Sequence, residues 1–259
     1  MSETLGANAA VLAGFMLALW LVSLWLRNAS IVDVAWGPAY ALIALVTHAR
    51  IAGAAPPRAV LVVALACVWG LRLGAYLFWR NHRKGEDFRY RAMRRYWGAR
   101  FPLVSLFTVF TLQGALVWVI SLPLVVSQVS GDATPLGVFD ALGVALWLAG
   151  MTFEVVGDWQ LARFRADPAK RGSVLDTGLW RYTRHPNYFG DSLVWWAFFA
   201  IALAVPGGIW TVVSPIVMTT LLLRVSGVAL LERTLTKTKP AYRDYVARTN
   251  AFIPGPPRG

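Results

Sequence analysis

Residues 60–79 read VLVVALACVWGLRLGAYLFW, twenty positions in which Arg72 is the one charge. A helix needs about 20 predominantly apolar residues to cross the hydrocarbon of a bilayer, and this stretch has that length. Comparable runs lie on both sides of it, at Val11–Leu26, Val32–Thr47, Leu103–Val126, Val138–Val156, Leu193–Ala204 and Trp210–Leu231. They are continuous rather than alternating with period 2, which argues against an outer-membrane barrel. The expectation is an all-α integral membrane protein of about seven transmembrane helices. Composition agrees: of 259 residues, 57% are hydrophobic and 15% charged, with a mean hydropathy of +0.53, a balance a water-soluble domain does not need. Several of the thirteen tryptophans fall near span ends (Trp20, Trp25, Trp79, Trp118, Trp180, Trp210), where aromatic belts form.

The net charge of +12 is unevenly spread. Eight cations crowd Arg80–Arg100, six crowd Arg163–Arg184 and six follow Glu232, whereas the loops near Ser127–Pro135 and Pro206–Gly208 hold none. By the positive-inside rule the rich segments are cytoplasmic, and seven spans then put the N-terminus outside and the C-terminus in the cytoplasm. Arg27 agrees, while Arg50 and Arg58 run against it. Met1–Ala10 carries Glu3 and no Lys or Arg, so it lacks the basic segment of a secretory signal, and the first span is expected to stay in the mature protein. Cys67 is the single cysteine, which excludes an intrachain disulfide, and His48, His82 and His185 are scattered, so no metal site is expected. The basic loops show no nucleic-acid recognition motif. Membrane topology explains them, with lipid headgroups as a further partner.

No low-complexity linker or repeat divides the chain, so residues 1–259 read as one domain. Turns are expected at Ala54–Pro57, Ser130–Pro135, Asp167-Pro168 and Pro206–Gly208. Gly70 and Gly74, four apart in the third span, allow a neighbouring helix to come close.

A charge within a span is costly and is a functional candidate by default. Asp33, Arg72, Glu154, Asp158, Asp191, Arg224 and Glu232 are such charges. One reading is that they neutralise one another. The other is that Glu154, Asp158, Asp191, Arg224 and Glu232, all toward the cytoplasmic ends of their helices, line one pocket reached by water. Glu154 and Asp158, four apart, share a helical face and suit either the holding of a ribose or amide or the movement of protons. The richest segment is Thr177–Asp191, TGLWRYTRHPNYFGD. Arginine suits bidentate contact with phosphate, Asn and Asp can read a carboxamide, and Pro186 fixes the turn before a helix. The same loop can equally be an interfacial anchor built on Trp180, Tyr182 and Tyr188.

At Gly178-Leu179-Trp180 and Arg184-His185-Pro186-Asn187-Tyr188-Phe189-Gly190-Asp191 the chain resembles the membrane superfamily of steroid 5α-reductases, sterol C14 reductases and isoprenylcysteine carboxyl methyltransferases. The tail from Leu230, with Glu232, Tyr242, Tyr245 and Phe252-Ile253-Pro254, is similar to that superfamily's last helix and terminus. Asp33-Val34-Ala35-Trp36-Gly37, Gly85-Glu86-Asp87-Phe88-Arg89-Tyr90 and Gln113 look like a bacterial branch of 5α-reductase-like proteins of undefined substrate. The resemblance implies a multi-pass protein of the bacterial inner membrane, with a cofactor half at about 137–259 facing the cytoplasm.

The superfamily reduces C=C bonds with NADPH or transfers methyl groups from S-adenosylmethionine. Asn187 with Asp191 resembles the reductases. Arg163, Arg165, Lys170 and Arg171 also favour NADPH, whose phosphates need several cations. Carried over residue by residue, the resemblance implies that Arg83, Glu154, Asp158, Arg165, Asn187, Asp191 and Arg224 contact NADPH, with Trp180, Arg184, His185, Tyr188 and Glu232 close by. There is no G-x-G-x-x-G, so the cofactor site is not of the Rossmann type. Steroid 5α-reductases carry an adjacent Gln-Glu pair and a Tyr that polarise the steroid ketone. This chain has no such pair, so an electrophilic acid has to come from Asp33, Tyr40, Tyr76 or Tyr90.

The expected function is therefore NADPH-dependent transfer of hydride to a C=C bond, an enone above all, of a steroid-like or isoprenoid lipid. The alternatives are a methyltransferase using S-adenosylmethionine and a non-catalytic membrane protein of the same fold.

Overall fold

The computed structural model describes residues 1–51, 55–82, 84–130, 135–225 and 227–258. The described residues are helical and contain no strand. Among the described residues six helical segments are long and apolar enough to cross a membrane: Ser2–Leu26, Ile31–Ala49, Pro57–Asn81, Phe88–Ile120, Val138–Ala166 and Gly208–Val225. The chain is a multi-pass membrane protein. The expected span at Leu193–Ala204 falls on the helix Pro186–Ala202, whose 17 residues rise about 26 Å, somewhat short of the roughly 30 Å hydrocarbon layer.

The chain divides into two compact units, residues 1–137 with 202–211, and residues 138–201 with 212–259. The first holds α1 (Ser2–Leu26), α2 (Ile31–Ala49), α3 (Pro57–Asn81), α4 (Phe88–Trp97), α5 (Phe101–Ser105), α6 (Leu112–Ile120) and α7 (Leu122–Val129). The α1–α2 corner turns at Arg27, whose φ of 51° is the left-handed conformation. Helices α2 and α3 touch backbone to backbone, because a Cβ on Gly37 or Gly70 would overlap the other's carbonyl, and one on Gly74 would meet the Pro38 ring at 2.7 Å. Tyr40 and Trp69 are wholly buried there, with ring centroids 5.7 Å apart. Between α5 and α6 the chain takes one wide π turn, Leu106–Thr111. At one end, Asn8 donates to Thr47 Oγ1 at 2.8 Å and Gln128 to the Ala44 carbonyl at 3.3 Å, which relieves polar groups that would otherwise be stranded in lipid. Arg58 is buried at the start of α3 with its guanidinium toward the Pro135 carbonyl, so it is a structural cation rather than a loop charge.

The second unit holds α8 (Val138–Ala166), α9 (Pro186–Ala202, to Ile201), α10 (Val213–Thr220), a π turn at Leu221–Val225, α11 (Val228–Thr238) and α12 (Ala241–Arg248). A glycine seam joins α8 to α9. A Cβ on Gly150 would meet the Gly190 carbonyl at 2.8 Å, one on Gly190 would strike the backbone of Gly150 and Glu154, and one on Gly157 would crowd Pro186 and the Asn187 amide. The tail turns back over the start of α9: Arg184 N donates to Asn250 O at 2.9 Å, Thr183 Oγ1 to Phe252 O at 2.8 Å and Gly255 N to Tyr182 O at 3.1 Å.

Candidate functional site

Two polar clusters stand out, one in each unit. In the second unit the seam between α8 and α9 places the Asp158 carboxylate against the Asn187 carboxamide. Glu154 and Asp158 lie one turn apart on α8, both almost wholly buried, and Asn187 and Asp191 lie one turn apart on α9. Asn187 Nδ2 donates to Asp158 Oδ1 at 3.0 Å. Gly190 brings the Glu154 backbone against α9. The sequence brings α8 and α9 together here because Pro186 opens α9 and small residues at 150, 157 and 190 leave no side chain to hold the helices apart.

Behind this seam, Arg184 forms a latch. Its guanidinium donates to both oxygens of Glu232, Nε to Oε1 at 2.7 Å and Nη2 to Oε2 at 3.1 Å, and Nη1 donates to the Val246 and Thr249 carbonyls. His185 Nε2 lies 3.1 Å from the same Glu232 oxygen, and its ring stacks on Tyr188 at 5.6 Å. Burial pushes the Glu232 carboxyl up, but the contacts with His185 and Arg184 outweigh it and hold it down at about 2. Burial, then the Glu232 charge, pushes the Tyr242 phenol up to about 12. Trp180, also buried, donates from Nε1 to Gly157 O at 3.2 Å, and its own carbonyl accepts from the Tyr245 hydroxyl. Arg184, His185, Trp180 and Glu232 thus bind α9, α11 and α12 together.

The cations lie outside. Arg163, Arg165, Lys170 and Arg171 are exposed along the last turn of α8 and the following 3-10 turn, Pro168–Lys170. Lys170 reaches Asp167 at 3.4 Å and Arg163 lies over the Trp159 ring at 5.5 Å. Arg224 is exposed on the π turn. Arg83 lies outside the described residues. Sequence reasoning passed over Gln160, whose Oε1 accepts from Leu179 N at 3.1 Å and whose carboxamide fills the space a side chain at Gly178 (φ +62°) would take. Its position one turn before Arg163 on the same helical face was the available signal.

In the first unit, Asp33, Tyr90 and Tyr40 were expected as candidate acids, and two of them meet. Tyr90 donates to Asp33 Oδ1 at 2.7 Å, and Arg89 Nη2 donates to Asp33 Oδ2 at 2.8 Å. Gln113 Nε2 donates to the Tyr90 oxygen at 3.0 Å, and Trp36 Nε1 donates to Gln113 Oε1. The directions are forced, because an indole and a guanidinium can only donate. With Trp36 donating at one end and Arg89 at the other, the chain runs from Trp36 through Gln113 and Tyr90 to Asp33, whose two oxygens accept from Tyr90 and Arg89. Tyr40 sits one turn along α2 from Trp36, with ring centroids 6.1 Å apart. The loop before α4 is tied to the α1–α2 corner: Ala29 N donates to Glu86 Oε1 at 2.8 Å, Asp87 N to Ser30 Oγ at 2.6 Å, and Arg94 holds Glu86 at 2.7 and 3.0 Å. Burial raises the Glu86 carboxyl, yet the Arg94 and Ala29 hydrogen bonds prevail and its pKa is lowered.

Among the described residues no group of three or more His, Cys, Asp or Glu side chains could hold a metal ion. No solved structure matches the chain. An uncharacterized protein of Schizosaccharomyces pombe, C594.04c, is 24% identical over 262 aligned positions, covering 91% of this chain and 75% of that protein. The family described as "Protein of unknown function (DUF1295)" matches residues 19–249. That match runs from within α1 to the residue closing α12 and takes in the Asp33–Tyr90 chain, the α8–α9 seam and the Arg184–Glu232 latch. The chain therefore belongs to this family, DUF1295.

Proposed function

We propose that the protein is a membrane oxidoreductase that uses NADPH to reduce a C=C bond, an enone above all, in a steroid-like or isoprenoid lipid. The observation that carries the reading is the α8–α9 seam, where the Asn187 carboxamide is held 3.0 Å from Asp158 beside the buried Glu154, with Arg163, Arg165, Lys170 and Arg171 exposed on the adjoining turn. These donor sets fit NADPH: amide and carboxylate groups for the carboxamide and ribose, and a cluster of guanidinium and ammonium groups for the phosphates. The resemblance of Asn187 and Asp191, within Arg184–Asp191, to the motif of the steroid 5α-reductases supports the same reading.

When bound, NADPH supplies the hydride. The protein's share is to orient the lipid and the cofactor, exclude water and deliver a proton. On an enone that hydride would go to the β-carbon, and the protein's part would be to donate a hydrogen bond to the carbonyl oxygen and a proton to the α-carbon. Of the candidate acids, Tyr90 carries a proton directed to Asp33 Oδ1 while Gln113 Nε2 donates to its oxygen, which supports it as the donor. Tyr40 and Asp33 are the others.

The same reading places the protein in a bacterial inner membrane with α9 as a seventh span, the N-terminus outside and the cofactor groups at the cytoplasmic face. Leu203 to Val205 extend the apolar run of α9, and modest thinning of the bilayer accommodates the remaining shortfall.

The test is calorimetric titration of NADPH into detergent-solubilised protein. Asn187→Ala, Asp191→Ala and Arg165→Ala are each expected to weaken binding at least about tenfold, and the exposed Arg165→Ala to do so while the melting temperature holds, as loss of a charge-assisted hydrogen bond implies. Full affinity in all three variants contradicts the assignment.

A further inference from the structure

Independently of the reductase reading, we infer that α4 and the turn after it form a docking surface for the phosphates of anionic phospholipids, built from Arg91, Arg95 and Arg100. Helix α4, FRYRAMRRYW, carries four arginines in ten residues, and the fold sorts them into two kinds. Arg89 is paired with Asp87 and Asp33, each at 2.8 Å. Arg94 is paired with Glu86 at 2.7 Å and lies over the Phe101 ring at 4.4 Å. Those two face inward and their charge is already matched. Arg91 and Arg95 are exposed one turn apart on the outer face, Arg100 is exposed three residues past the helix end, and no acid among the described residues lies within ion-pair distance of any of them.

Their place along the chain selects the partner. Gly98, at φ +50°, ends α4, and Phe101 begins the apolar stretch that runs through the π turn to Ile120. The three arginines therefore stand at the mouth of a membrane helix, where headgroups are. Phe88, Tyr96 and Trp97 on the same segment are exposed at 55%, 78% and 40%, and amphipathic aromatics of this kind settle at the headgroup level. The surface is rigid: Trp20 Nε1 donates to Pro102 O at 2.9 Å, and Tyr90 ties α4 to Asp33. A fixed set of exposed guanidinium groups at the interface, none in an ion pair with a described acid although Arg91 acts on Glu86 through space, is complementary to phosphodiester oxygens, which arginine binds bidentately.

The probe is phosphatidylglycerol, titrated into the detergent-solubilised full chain against phosphatidylcholine of the same acyl chains, with bound lipid counted by native mass spectrometry. Phosphatidylglycerol is expected to bind more tightly, and the preference to fall about fivefold per arginine removed in Arg91→Gln, Arg95→Gln and their triple combination with Arg100→Gln. A second triple, Arg181→Gln with Lys237→Gln and Arg243→Gln, removes the same charge from other exposed positions and is expected to keep the preference. Equal loss in both triples, or an unchanged preference in the first, overturns the proposal. Should the first triple not fold, the salt dependence of the wild type decides: the preference collapses between 50 and 500 mM NaCl, roughly a threefold shortening of the screening length, and a salt-independent preference overturns it.

Discussion

Replacing Glu232 by Gln keeps the side chain's shape and removes its charge, which isolates the electrostatic worth of the latch across α9, α11 and α12. A carboxyl lowered from 4.5 to about 2 corresponds to about 3 kcal/mol of preference for the folded state at neutral pH. The carboxylate is 21% exposed, so solvent screening trims this to roughly 2 kcal/mol. For a chain of this size that is roughly 4–8 °C in melting temperature. The pH dependence has a definite sign. Because the folded value is depressed, the stabilisation is complete above about pH 4.5 and is lost as pH falls toward 2. The gap between wild type and Glu232→Gln, followed by thermal unfolding in detergent, should be constant from pH 7 to 5 and shrink to less than about half by pH 3. A variant melting within about 1 °C of wild type at pH 7, or a gap unchanged at pH 3, refutes the reasoning.

Gly70→Ala should lower the melting temperature markedly, since its Cβ would be driven into the Gly37 carbonyl and overpacking of this kind costs about 1–3 kcal/mol. Gly14→Ala, with nothing within 4 Å of the new Cβ, should be neutral or stabilising by up to about 1 kcal/mol, and equal effects of the two changes in the same melting assay would contradict the backbone contact. Tyr90→Phe removes the donor to Asp33 and the acceptor for Gln113, leaving polar groups stranded at about 1–3 kcal/mol. Addition of Gln113→Leu should recover part of that loss, and a double variant as unstable as the sum of its parts would argue against the hydrogen-bond chain.

The helical membrane architecture was legible because lipid leaves the backbone few alternatives, so apolar runs such as Val60–Trp79 reappear within α3. The boundary cases were those where length is marginal: the expected span at Leu193–Ala204 lies on the 17-residue α9. The small residues at 70 and 74 marked a close helix contact, but their partners Gly37 and Pro38 lie more than thirty positions away, and pairing at that distance leaves no trace in local spacing. The pairing of Glu154 and Asp158 on one face followed from their i,i+4 separation, whereas the approach of Asn187 depended on the glycine seam. Arg184 illustrates the limit most clearly. Its residue type suits a phosphate, yet its guanidinium closes on Glu232 and on two carbonyls of the returning tail, and only the folded path of residues 232–250 reveals that. Likewise the meeting of Asp33 with Tyr90 needed the turn before α4 to fold onto the α1–α2 corner.

The central claim is tested most directly by titrating NADPH, NADH and S-adenosylmethionine separately into the purified wild-type protein by calorimetry. The account predicts that NADPH binds, that it exceeds NADH by at least about tenfold because the exposed cations at 163–171 meet its additional phosphate, and that S-adenosylmethionine gives no heat. Binding of S-adenosylmethionine in preference to NADPH would contradict the account and assign the same seam to methyl transfer, and binding of none of the three would leave the fold without this chemistry.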